Sequence, residues 1–237
     1  MFMKMKFVSL LALSLFVSAS PQAGFYAGGT FGFGNFSMNN NNVAFDEDQS
    51  EEHLGTKVSQ SWFVPGLLAG YSFALSPCWF LSPEVYALFA NAQKSSSQKT
   101  QFENDITLKS SAKLQTVLGL GARLGYQMLS GLGIFGKLGV EFTQLKTKAE
   151  FFDADGNPCD NSKLEQSNWT PGLAIGAGLE TKMGGVIVRG DYTLSIFQGS
   201  GKKTLTYDDT DNALLTNKLS GVRSHRVMVS FVVPFGK

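Results

Sequence analysis

From residue 24 onward the chain alternates large apolar residues with small or polar ones. In segment 113–128, Leu114, Leu118, Leu120, Leu124, Tyr126 and Met128 alternate with Gln115, Gly119, Gly121, Arg123, Gly125 and Gln127. In 186–197, Val186, Val188, Tyr192, Leu194 and Ile196 alternate with Ile187, Arg189, Asp191, Thr193 and Ser195. A period of two is a strand with two unlike faces. Eight segments read this way: 25–34, 61–73, 78–91, 113–128, 132–144, 168–183, 186–197 and 225–235. None of them carries a sustained 3.6-residue apolar period, so the pattern predicts an all-β domain. The second and sixth segments share a short repeat, Pro65-Gly66-Leu67 and Pro171-Gly172-Leu173.

The connections alternate in kind. Three are short, at 74–77, 129–131 and 184–185, and four are long and polar, at about 35–60, 92–112, 145–167 and 198–224. Short turns at one end and long polar loops at the other, on an even number of strands, are the signature of an outer-membrane barrel. Gly184-Gly185 suits a two-residue turn with positive φ at both positions, which pairs Met183 with Val186 and sets Glu180 opposite Arg189.

Composition decides which face meets what. A soluble barrel would turn the small face to water, but that face is rich in glycine and offers about one charge per strand, too few for a soluble surface. Turned inward, the same face fits an eight-stranded barrel, whose interior has room only for side chains. The inward charges are Glu84, Glu141, Glu180 and Asp191 against Arg123, Lys137, Arg189 and Arg226. The set is balanced and able to plug the lumen as a neutral network, whereas a selective channel favours rings of one sign. Arg123 and Lys137 fall opposite each other, so an acid from a neighbouring strand is needed, Glu84 or Glu180. On the outward face, aromatics collect at the strand ends: Phe25, Trp79, Tyr126 and Phe235 on the short-turn side, Phe89, Phe142 and Trp169 on the loop side. Trp79 and Phe89 lie ten residues apart, roughly 25 Å of bilayer normal for a tilted strand, and the set is expected to mark the two lipid interfaces.

The segment ahead of the barrel reads as a signal peptide over residues 1–23. Lys4 and Lys6 precede an eleven-residue apolar run, 7–17, too short to span a bilayer as a helix, and Ala19 or Ala23 ends the segment. The barrel domain is then 24–237. A net charge of +1 argues against nucleic acid as a partner. Cys78 and Cys159 fall at opposite ends of the expected barrel and are read as structurally incidental.

GFYAGGTFGFG near residue 24 and RVMVSFVVPF at 226–235 resemble the first and last strands of small eight-stranded outer-membrane barrels of the outer membrane protein A and opacity-protein type. The resemblance implies an eight-stranded antiparallel up-and-down transmembrane β-barrel, both termini in the periplasm, four loops at the cell surface and insertion by the barrel-assembly machinery. It places Phe25, Ala27 and Phe31 outward and Tyr26 and Thr30 inward. Gly236 and Lys237 follow Phe235, where that family ends on Phe. No peptidoglycan-binding domain is expected after the barrel.

Chemical motifs are few. Residues 131–142, GLGIFGKLGVEF, hold a G-x-G-x-x-G and most of a phosphate loop, but their alternation makes them a strand, and Leu138 stands where the Mg²⁺-binding hydroxyl belongs. DADGNP at 153–158 lacks the glycine of a calcium loop. Residues 46–52 carry five acids against the single base Lys57, an acidic surface loop. His53 and His225 are the sole histidines; Ser224-His225 sits at the rim without the His-x-Ser spacing of a lipid A deacylase. No catalytic residue, metal or cofactor is assigned. The expected function is a surface protein with a plugged lumen, its partners outer-membrane lipid, lipopolysaccharide and a host-surface or extracellular ligand. A small ion-conducting porin and a lipid A-modifying enzyme are the alternatives.

Overall fold

In a computed structural model, described over residues 24–45, 51–99, 107–128, 132–152, 157, 164–198, 203–206 and 214–235, the chain forms nine strands and no helix. They are β1 (Gly24–Phe45), β2 (Glu51–Ala74), β3 (Trp79–Lys99), β4 (Thr107–Gln127), β5 (Leu132–Phe152), β6 (Leu164–Met183), β7 (Val186–Phe197), β8 (Lys203–Thr206) and β9 (Leu214–Phe235). Neighbours are antiparallel throughout, and β1 also pairs with β9, from Phe25 opposite Phe235 to Phe45 opposite Leu214, which closes the sheet into a barrel. β7 and β8 both pair with β9, at different heights, and so share one stave. The closed wall therefore has eight. The signal segment 1–23 lies outside the described residues, as do the turn 129–131, the acidic run 46–50 and Cys159. Cys78 is a free thiol.

The strands run well past the alternating segments. Seven are 20 to 24 residues long, where about ten cross a bilayer. Most of the expected loops at 35–60, 92–112 and 145–167 are thus paired strand. Antiparallel pairing satisfies backbone N–H and C=O groups whatever the side chains are, so the ladder persists after the apolar alternation stops.

Three local corrections follow from backbone geometry. Leu114, expected outward, is buried inside, because the register of β4 on β5 shifts between Leu114 and Val117 and the extra residue flips the parity. At Gly184-Gly185 only Gly184 has a positive φ, 63°, so the turn follows the II′ pattern rather than one with both residues left-handed. The pairing of Met183 with Val186 is unaffected. Finally, the two Pro-Gly-Leu motifs mark seams. The β2–β3 ladder stops at Gly66 opposite Leu88 although both strands continue, and the β6–β7 ladder stops at Gly172 opposite Phe197. Pro65 and Pro171, which lack an N–H, stand where each ladder ends, an edge position that proline tolerates. Beyond these seams β3 to β6 form one group of paired strands and β8, β9, β1 and β2 another.

Candidate functional site

Pleating turns every second residue into the lumen, where the side chains fill three levels. Nearest the short turns, two arginines and two glutamates alternate. Arg123 meets Glu84 through Nε at 3.1 Å and Glu180 through Nη1 at 2.8 Å; Arg189 meets Glu84 through Nη1 at 3.0 Å and Glu180 through Nε at 3.1 Å. The four come from four strands, and Glu84 on β3 faces Arg189 on β7 across the full diameter. Tyr26 donates to Glu84 at 3.1 Å and accepts from Arg123 at 3.2 Å, while its ring lies 4.6 Å from the Arg189 guanidinium. Arg123 and Lys137 are directly opposed, and both Glu84 and Glu180 neutralise the arginine.

One level up, Glu141 Oε1 accepts from Tyr86 at 2.6 Å and pairs with Arg226 Nη2, which also donates to Ser195 at 2.6 Å. Lys137 and Asp191 face the lumen but, among the described residues, form no ion pair. The lysine nitrogen sits 4.0 Å over the Tyr86 ring, and Asp191 accepts from Thr193 at 3.0 Å. Both line a cavity of about 30 Å³, room for a water or two. Among the described residues Glu141 Oε2 and Arg226 Nη1 have no protein partner, and groups of that kind hold such waters. The third level, toward the long loops, is apolar: Phe36, Trp62, Leu88, Leu114, Leu145, Phe197 and Val222 pack together, with Phe36 and Trp62 edge to face at 6.2 Å.

Glycine makes this packing possible. Tyr26, Trp62, Phe80, Tyr86, Phe135 and Phe197 lie directly opposite Gly70, Gly34, Gly125, Gly119, Gly178 and Gly172, and a Cβ on each glycine would collide with the facing ring. Sequence reasoning left Tyr26 and Tyr86 out of the ion network and missed the apolar level, although all of these residues but Leu114 share the inward parity of their charged neighbours.

Outside, Phe25, Trp79, Phe89, Tyr126, Phe142, Trp169 and Phe235 are all exposed, within a continuous apolar belt. Trp79 packs on Tyr126 at 5.3 Å. Ser224 and His225 do not meet, since adjacent strand residues face opposite ways: Ser224 is buried in the lumen, whereas His225 Nδ1 lies 2.7 Å from the hydroxyl of outward-facing Tyr192. The side chain of His53 lies outside the described residues. No group of three or more His, Cys, Asp or Glu among the described residues could hold a metal ion, and the lumen carboxylates Glu84, Glu141 and Glu180 already face arginines. The arrangement is suited to closing a lumen.

A family model described as the outer membrane protein beta-barrel domain matches residues 7–220. Among solved structures, neisserial surface protein A is 15% identical, covering 90% of this chain and 99% of that one, with a TM-score of 0.42. The attachment invasion locus protein Ail of Yersinia pestis is 13% identical over 90% of this chain and 99% of that one, TM-score 0.37. The outer membrane protease OmpT of Escherichia coli is 10% identical over 92% of this chain and 99% of that one, TM-score 0.49. No curated protein matches the sequence.

Proposed function

Because the chain belongs to the family of the outer membrane protein beta-barrel domain, and so to the bacterial outer membrane, we propose that it is a surface protein whose closed barrel displays its long hairpins for structural or adhesive binding roles. The observation that carries this reading is the packed lumen. Two ionic levels and an apolar one fill it, and the cavity lined by Lys137 and Asp191 among them, about 30 Å³, is far too small for a solute. Both termini face the periplasm in this reading, and the extended hairpins, which bear most of the polar sequence, stand outside the cell. Recognition normally resides on such connections carried by a rigid scaffold. In this reading the chain has no catalytic role, which the outward His225 and the lumen-facing Ser224, on opposite sides of the wall, support. Outer-membrane lipid and lipopolysaccharide surround the belt, the barrel-assembly machinery inserts it, and a host-surface or extracellular ligand meets the hairpins.

Planar-bilayer recording tests the closed lumen. The expected trace is flat, and steady conductance near that of a general porin overturns the reading. A change in lipid A mass that depends on His225 would overturn the absence of catalysis.

A further inference from the structure

Above the irregularity in β4, Leu114 and Leu145 are directly opposed and both buried in the lumen. Their neighbours Lys113 and Lys146 are also directly opposed, and by the alternation of the pleat they project from the outer wall. Like charges at opposed positions destabilise a sheet. Among the described residues neither lysine has a carboxylate partner, whereas Lys148, one pleat further out, pairs with Glu165 at 3.3 Å. Lys109 lies opposite Glu150 with its nitrogen 3.6 Å over the Phe152 ring. The uncompensated pair is continued sideways by Gln93, opposite Lys113, and Ser167, opposite Lys146. Four adjacent side chains thus offer hydrogen-bond donors and no anion.

Position supplies the second observation. Gln144, two residues before Lys146, lies opposite Trp169, an exposed aromatic on the loop side. The lysine row therefore stands about 7 Å along the strand beyond the aromatic. Where outward aromatics mark the edge of the hydrocarbon, the next step is the headgroup layer.

We infer that the Lys113–Lys146 row binds a phosphate of an outer-leaflet glycolipid headgroup. The phosphate oxygens accept from both ammonium groups and remove their repulsion, Gln93 and Ser167 add neutral donors, and the acyl chains descend over the exposed Leu118 and Phe142. This rests on the bilayer placement proposed above, with the long hairpins outward.

The test reconstitutes the full chain into phosphatidylcholine vesicles doped with bisphosphorylated or dephosphorylated lipid A. Flotation scores insertion, and native mass spectrometry counts the glycolipid retained on detergent release. Wild type is expected to retain the bisphosphorylated form roughly tenfold better, the scale of one charge-assisted hydrogen bond. The Lys113→Gln/Lys146→Gln double variant should lose that preference, while Lys182→Gln, at the short-turn end, keeps it. In vesicles without lipid A the double variant should be at least as resistant to urea as wild type, because a repulsion is gone. Inserted protein that shows no phosphate preference, or a double variant that retains it, overturns the inference alone. Protein that does not float overturns the bilayer placement, and this inference with it.

Discussion

Glu141 and Arg226 are almost wholly buried, and among the described residues each is the other's sole counter-charge within hydrogen-bond reach. Removing one leaves the other charged and unpaired in the lumen. Glu141→Ala is expected to cost about 3–5 kcal/mol in urea unfolding from lipid vesicles, whereas Glu141→Leu with Arg226→Met should recover most of it. A double variant no more stable than the single one would show that the pair acts through something other than charge. The facing of single residues was legible from alternation alone, and so was the opposition of Glu180 and Arg189, because a two-residue turn fixes the count across it. The meeting of Glu141 with Arg226 was not, since β5 and β9 are three staves apart and no strand-to-strand count reaches across a lumen. Leu114 failed for a smaller reason: one extra residue reverses every parity beyond it.

At the level of elements, turns and seams were read with unequal success. The II′ pattern at Gly184 and Gly185 gives the two glycines different burdens, since only Gly184 occupies left-handed space. Gly184→Ala should lower stability by about 1–2 kcal/mol, while Gly185→Ala should be close to neutral, both scored by urea titration of refolded protein. Equal losses would contradict the turn geometry. The Pro-Gly-Leu repeat was visible in the sequence without a meaning. Its sense lies in hydrogen bonding, because each proline stands where a ladder ends, and a pattern search has no access to which edge is open. The lengths of the strands were hidden likewise. Polar hairpin arms carry no apolar face, so nothing in their composition separates a laddered arm from a loop.

For the whole molecule, the apolar belt and the packed lumen run from the short turns to a little beyond the seams, where Phe36, Trp62, Leu114 and Leu145 still fill the interior and Phe89 and Trp169 still face out. Deleting residues 39–56, the outer arms of β1 and β2, should leave a barrel that still migrates differently on unboiled and boiled gels, while reducing adherence to host cells if that hairpin is the binding one. Loss of the heat-dependent shift would mean that the arms are needed for folding. An empty tube of eight staves flattens easily under sideways load, because bending its wall is cheap. Here Glu84 and Arg189 span the diameter between β3 and β7, and Glu141 and Arg226 form a second strut from β5 to β9. Braced in two directions, the cross-section resists becoming oval. The protein then behaves in the membrane as a rigid peg of fixed girth, and the surrounding lipid must adapt to it.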